Sequence, residues 1–192
     1  MIRKIIIEGF KCFHKRQSIP LSQINILYGK NGRGKSTIAQ SFLLLAQTMK
    51  ECNDVAELRL MGDLIELGTF DEVINVNAKS GKFYWAFQDD DNLVEFGFEK
   101  FPHKTQMAKL CKLLVNNENR FDVKTTSDKG TVSENKSVST TSDIMMLQNF
   151  KLLQYVSAGR LGPKNYSARK DSLEDNWLGV KGEYVINVLT NQ

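Results

Sequence analysis

The sequence predicts an α/β fold, and three observations made along one stretch carry the prediction. Ile24-Asn25-Ile26-Leu27-Tyr28 is short, apolar and rich in β-formers, so it reads as a buried strand. Gly29-Lys30-Asn31-Gly32-Arg33-Gly34-Lys35-Ser36-Thr37 follows at once and satisfies G-x-x-x-x-G-K-[ST]. After it, Ile38, Phe42, Leu45, Ala46 and Met49 recur at helical spacing and give one apolar helix face. Strand, glycine loop and helix in that order are the context that a phosphate-binding loop requires, so the expected class is a P-loop NTPase. A glycine-rich strand–helix turn matching by accident is the competing reading, and the correct flanks argue against it.

Each residue type in the loop has a chemical reason. Glycines at 29, 32 and 34 permit backbone angles that a side chain would block and let the main chain approach a phosphate closely. The N–H groups from Gly32 to Lys35 can then converge on phosphate oxygens at a helix N-terminus. Lys35, the candidate catalytic residue, would set its ammonium against the β- and γ-phosphates, and Ser36 would give its hydroxyl to Mg²⁺. Thr37 is expected at the α-phosphate. Asn31 and Arg33 complete the candidate ATP·Mg²⁺ site, with Arg33 pointing outward to solvent or a dimer partner. Nothing in the loop selects the base.

Composition sets the frame. The chain has 192 residues, 41% hydrophobic and 25% charged, enough for one sizeable domain over 1–192 with a core. The net charge of +4 is compatible with nucleic-acid binding without demanding it. No apolar run is long enough to cross a bilayer, and after Met1-Ile2-Arg3-Lys4 the apolar run is only Ile5-Ile6-Ile7, a strand and not a secretory segment. Cys12, Cys52 and Cys111 are far apart and odd in number, so reduced thiols and a cytoplasmic location are expected. His14 and His103 have no ligand-spaced neighbours, which argues against a Cys/His metal site.

The remaining elements follow in order. Ile2 to Phe10 reads as a strand, Phe10 to Phe13 alternates, and Ile19-Pro20-Leu21 stays extended because a residue before proline avoids the helical region. Two or three strands therefore precede the loop strand. Glu51 to Leu60 reads as helix end and loop. Lys82–Phe87 and Leu93–Glu99, joined by Gln88–Asn92, predict an antiparallel hairpin. Gln106–Val115 predicts a short amphipathic helix, with Met107, Leu110, Cys111 and Leu114 on its core side. Residues 116–143 are polar and predict a mobile insertion, in which Phe121, Val123 and Val132 would seed at most one hairpin. Its lysines read more readily as a solvated loop than as a nucleic-acid contact. Phe150–Val156 predicts a strand, and Glu183–Leu189 a short helical or extended piece. There is no internal repeat.

The opening Ile-x-x-Ile-x-Ile-x-x-Phe-Lys-x-Phe, followed by Ile-Asn-Ile-Leu-Tyr-Gly-Lys-Asn-Gly-Arg-Gly-Lys-Ser-Thr, resembles the N-terminus of the RecF/SMC/OLD-type ATPases, relatives of the ABC ATPases that act on DNA or in bacterial defence. Gly62 to Phe70 is similar to a segment of the OLD-like AAA ATPases, as are Tyr155-Val156-Ser157-Ala158-Gly159-Arg160-Leu161-Gly162-Pro163, with Tyr166 after it, and Gly179-x-x-Gly182-Glu183. The resemblance implies an ABC-ATPase-like N-terminal lobe, with a mixed β-sheet and an antiparallel β-subdomain over the nucleotide. It implies ATP and Mg²⁺ as ligands. It also implies a head-to-tail dimer, or a partner supplying a C-terminal half, with DNA as a possible further partner.

Hydrolysis in such proteins needs an apolar strand ending in a carboxylate, and a signature helix. Phe83 to Asp90 comes nearest to the first, but Gln88 interrupts it and Asp89-Asp90-Asp91 looks like a turn. Ser157-Ala158-Gly159 does not open a plausible signature helix. The resemblance puts both features in a C-terminal half, so the chain is expected to be the N-terminal lobe alone, either a fragment or one part of a split ATPase, hydrolysing little by itself. Gln148 and Gln154 are candidates for the glutamine that joins Mg²⁺ to the moving part, against a surface role for each. Arg160 would reach a phosphate or pin its own turn. Two alternatives remain open: a small P-loop kinase, and a non-hydrolysing partial lobe that pairs with a complete ATPase.

Overall fold

The chain alternates short polar turns with β-rich runs, and in the computed structural model those runs pair into one antiparallel sheet. The structure describes residues 1–52, 54–119, 145–157, 178 and 183–184. The chain divides into two compact units, Met1–Lys151 and Leu152–Gln192. The first contains β1 (Lys4–Glu8), β2 (Gln17–Pro20), α1 (Lys35–Cys52), β3 (Glu57–Arg59) and α2 (Phe70–Val73), then β4 (Lys82–Gln88), β5 (Leu93–Lys100), β6 (Met107–Val115), β7 (Glu118–Asn119) and α3 (Met145–Phe150). The sheet order is β2-β1-β4-β5-β6-β3, with β7 added on β6. In the second unit the Leu178 amide donates to Gln154 Oε1 at 3.4 Å, and the Tyr184 amide to the Leu178 carbonyl at 3.1 Å.

Alternation decides which face of the sheet is dry. Ile5 and Ile7 pair across from Phe87 and Trp85, so their side chains share one face, and all four are buried. Phe83, Trp85, Phe98 and Phe10 form an aromatic cluster with ring centroids 4.9–5.5 Å apart. Such tilted and edge-on pairs add about 0.5–1.5 kcal/mol each beyond their buried area. Phe42 of α1 meets Phe87 at 5.2 Å and Phe150 of α3 at 5.9 Å, which ties both helices to β4.

The helix after the glycine loop forms, and it is buried more completely than one apolar face requires. Leu43 to Met49 are all buried, Gln47 and Thr48 among them. The two polar residues are satisfied locally. Gln47 Nε2 donates to the Arg59 carbonyl at 2.8 Å and its Oε1 accepts from the Ile65 amide at 3.1 Å. Thr48 Oγ1 donates to the Leu44 carbonyl at 2.7 Å and accepts from the Arg59 amide at 3.0 Å. The segment from β3 to Ile65 therefore covers the helix flank that a soluble helix would leave wet.

The predicted hairpin is present as β4 and β5, with Lys82 opposite Glu99 and Gln88 opposite Leu93. Three expectations are corrected. Gln106–Val115 is not a helix but strand β6, paired antiparallel with β5. The register shifts near Gly97/Phe98, so that Phe98 faces Leu110 while Gly97 faces Lys112. The irregularity breaks the two-residue alternation of β6, whose buried Ala108, Leu110 and Leu113 mimic helical spacing. Phe150–Val156 is not a strand: Phe150 closes α3, and residues 151–157 are turn and irregular. Ile24–Tyr28 is neither buried nor paired. Ile24, Ile26 and Tyr28 are 84%, 86% and 95% exposed, and no described strand lies beside them. Asn25 instead folds the segment's start into a turn, accepting from the Ser22 amide at 2.9 Å and donating to the Ser22 carbonyl at 2.8 Å.

Asn116 to Asn119, at the head of the expected insertion, form a turn and β7, and its remainder lies outside the described residues. Most of Glu183–Leu189 and the Arg160 region lie outside them too.

Candidate functional site

The glycine loop is shaped by its backbone. Gly29, Gly32 and Gly34 have φ of +141°, +76° and +91°, angles that side chains resist. Helix α1 begins at Lys35, and the amides of Gly32, Arg33 and Gly34 make no hydrogen bond among the described residues. Unpartnered donors ahead of a helix are what an anion would satisfy. Lys35 Nζ donates to the carbonyls of Gly29 at 2.7 Å and Lys30 at 2.9 Å, so its ammonium spans the mouth of the loop. Asn31, Gly32, Arg33 and Ser36 are exposed.

A second segment supports the loop from beneath, and sequence reasoning gave it no role at the loop. Gly34 is buried against the turn 10–13. A Cβ there would lie 2.8 Å from Cys12 Sγ and 2.8 Å from Phe13 Cζ. Cys12 Sγ lies 3.8 Å from Thr37 Oγ1, which is buried on the first turn of α1. The turn is itself anchored. The Phe13 amide donates to the Phe10 carbonyl at 2.9 Å, the Lys11 amide to Val73 at 2.7 Å and the Asn75 amide to Gly9 at 2.8 Å. Asn75 Nδ2 also donates to the Lys11 carbonyl. Gly9 has φ +70°, and a Cβ there would sit 2.6 Å from the Lys82 carbonyl, so β4 presses directly on the turn. The signal in the sequence was a glycine at a strand end followed by two phenylalanines three residues apart, Gly9, Phe10 and Phe13.

Lys11 occupies the left-handed region with φ +49°. Burial lowers the pKa of its ammonium, opposed by the nearby Cys12 and Glu72. Glu72 is held below the usual carboxylate range by hydrogen bonds from the Thr69 amide and hydroxyl.

The model of the family described as an AAA ATPase domain matches residues 1–176. The chain belongs to that family. No curated protein matches it. Membership in the AAA ATPase domain family gives a P-loop NTPase with nucleotide-binding, ATPase-type function, and implies ATP as ligand, typically with Mg²⁺. The residues present fit that ligand pair: unpartnered loop amides and the Lys35 ammonium suit phosphates, and the exposed Ser36 hydroxyl suits a cation beside them. In this AAA ATPase domain the sheet is antiparallel, whereas P-loop folds usually have a parallel one.

The carboxylates nearest to an acidic-strand motif are engaged at the β4–β5 turn. Asp89 closes the β4–β5 turn by accepting from the Asp91 and Asn92 amides at 3.0 and 2.7 Å, and Asp90 pairs with Arg3 at 2.8 Å. Among the described residues no group of three His, Cys, Asp or Glu side chains could hold a metal ion. Gln148 lies on α3, Gln154 belongs to the second unit, and Arg160 is outside the described residues. No helix among the described residues is long and apolar enough to cross a membrane.

Proposed function

We propose that this AAA ATPase domain is the ATP·Mg²⁺-binding lobe of an OLD/RecF/SMC-like ATPase, working in DNA metabolism or anti-phage defence. Hydrolysis is completed by a complementary half and by dimerisation. The observation that carries the nucleotide site is the loop backbone: three left-handed glycines, unpartnered amides from 32 to 34, and Lys35 bonded to loop carbonyls. Bound phosphate oxygens would take over the Lys35 ammonium from Gly29 and Lys30, while the loop amides close on the same anion. Ser36 would hold Mg²⁺, whose charge would offset that of the phosphates. Thr37 would reach the α-phosphate at the edge of the turn that carries Cys12 and Phe13.

The need for a complementary half is supported by the segment that feeds the loop. An apolar strand sequence, Ile24 to Tyr28, is bare on the surface, and the described carboxylates nearest to an acidic-strand motif are engaged in a turn and an ion pair. The test is titration of the purified chain with a fluorescent ATP analogue and Mg²⁺, with turnover measured in parallel. Binding that Lys35→Ala weakens by at least tenfold, with turnover near background, is the expected result. Binding or turnover that Lys35→Ala leaves unchanged would overturn the assignment.

A further inference from the structure

A second feature of the sheet lies outside this phosphate loop. At the C-terminal end of β1, the turn 9–14 and the double turn 75–81 border an open cavity of about 270 Å³. Its wall includes Glu8, His14, Asn77, Lys79, Ser80 and Tyr84. The double turn is fixed by backbone bonds from Ala78 to Asn75 at 2.9 Å and from Gly81 to Ala78 at 3.0 Å, with Gly81 at φ +63°. Gly9 lies against the Lys82 carbonyl and contributes to the lining. The wall is therefore built from anchored backbone.

The cavity brings several exposed, unpaired polar side chains together. Elsewhere on the sheet most charges are matched among the described residues, Lys4 and Lys109 excepted. Arg3 meets Asp90, Lys100 meets Asp71, Lys104 meets Glu57, and Glu95 takes both Arg16 and Lys112, all within 2.8 Å. Lys82, which also lines the cavity, is taken by Glu99 at 2.9 Å. In the cavity the side chains of His14, Asn77, Lys79 and Tyr84 make no hydrogen bond or ion pair among the described residues. Ser80 Oγ makes only a 3.5 Å contact, and Glu8 reaches Arg16 only at 3.6 Å. An ammonium, an amide, an imidazole and two hydroxyls are thus offered to one small space, with a single loosely paired carboxylate among them. Donors of this kind suit an anion, and the carboxylate suits a ligand hydroxyl. The volume lies just below the usual range for small-molecule pockets, about 300–1,000 Å³, and admits a molecule of monosaccharide size.

We propose that this cavity binds a small organic anion bearing hydroxyl groups, of the size of a sugar phosphate, with Lys79 as its main charge partner. It is a site separate from the phosphate loop. The probes are ribose 5-phosphate, ribose and inorganic phosphate, titrated into ¹⁵N-labelled protein and followed by amide shifts and calorimetry. Ribose 5-phosphate should shift His14 and residues 77–80 and bind more tightly than either fragment. Lys79→Ala should weaken it about tenfold, the loss expected for one charge-assisted bond. Lys35→Ala should leave it unchanged, and because Lys79 is exposed the thermal midpoint of its variant should not move. Ribose binding as well as ribose 5-phosphate, shifts confined to residues 29–37, loss of binding in Lys35→Ala, or no binding at millimolar probe would each overturn the proposal. Loss of ATP binding alone would count against the loop assignment and not against this one.

Discussion

At the scale of single residues, two positions separate what the loop needs from what the sheet needs. Gly34 has φ +91° and no room for a methyl group between Cys12 and Phe13. Gly34→Ala should cost about 1–3 kcal/mol through backbone strain and contact, read by urea denaturation, and should abolish nucleotide binding even in the fraction that stays folded. Glu95 is the contrasting case, since its role is structural. Burial works to raise its pKa, but hydrogen bonds from Lys112 and Arg16, each at 2.5 Å, prevail and hold it below the usual carboxylate range. A carboxyl whose folded pKa is depressed adds stability above its unfolded pKa, near 4.3, and loses it as pH falls through the folded value. Wild type should therefore exceed Glu95→Gln in stability by about 1–3 kcal/mol at neutral pH, with the gap closing below about pH 4. A gap that stays constant from pH 7 to pH 3 would show that the carboxylate is not the source. The backbone shape of the loop was legible because glycine spacing encodes it locally. Glu95, Arg16 and Lys112 were not, because only the pairing of β2 with β1 and of β1, β4, β5 and β6 in turn brings residues so far apart in sequence together.

At the scale of elements, the β4–β5 hairpin and the start of α1 follow from local pattern alone, and the misread elements are those where tertiary pairing overrides it. Nine residues of β6 carry apolar positions that suit a helix face, yet the open edge of β5 takes them as a strand and a register irregularity absorbs the odd spacing. Likewise Phe150 reads as the start of a strand, because its partners Phe42 and Phe87 lie more than sixty residues upstream. These three rings join α1, α3 and β4, so Phe87 is the joint at which the phosphate-loop helix is fixed to the sheet. Phe87→Ala should cost about 3–5 kcal/mol in chemical denaturation. The nucleotide affinity of its folded fraction should also fall, since α1 carries Lys35, Ser36 and Thr37. Unchanged affinity in a destabilised but folded variant would mean that turn 10–13 alone positions the loop.

At the scale of the whole molecule, the antiparallel sheet and the phosphate loop meet through a segment that neither of them covers. Ile24, Ile26, Leu27 and Tyr28 expose apolar surface directly before Gly29, whereas Ile5, Ile7, Phe83 and Trp85 in the sheet are fully buried. An unpaired apolar strand sequence offers both backbone donors and hydrophobic side chains to an incoming strand. The complementary half proposed above would be the occupant of this surface, and its docking would be tied to nucleotide binding, since a strand laid along Ile24–Tyr28 would end beside the loop. Ile26→Asp separates the two demands. In the chain by itself the side chain is 86% exposed, so the thermal midpoint should move little. In the presence of ATP and Mg²⁺, sedimentation velocity should show the wild-type chain associating, with itself or with an added complementary half, and Ile26→Asp remaining free. An aspartate that unfolds the isolated chain would show that the segment is already packed in solution. An aspartate that leaves association intact would move the docking surface elsewhere on the sheet.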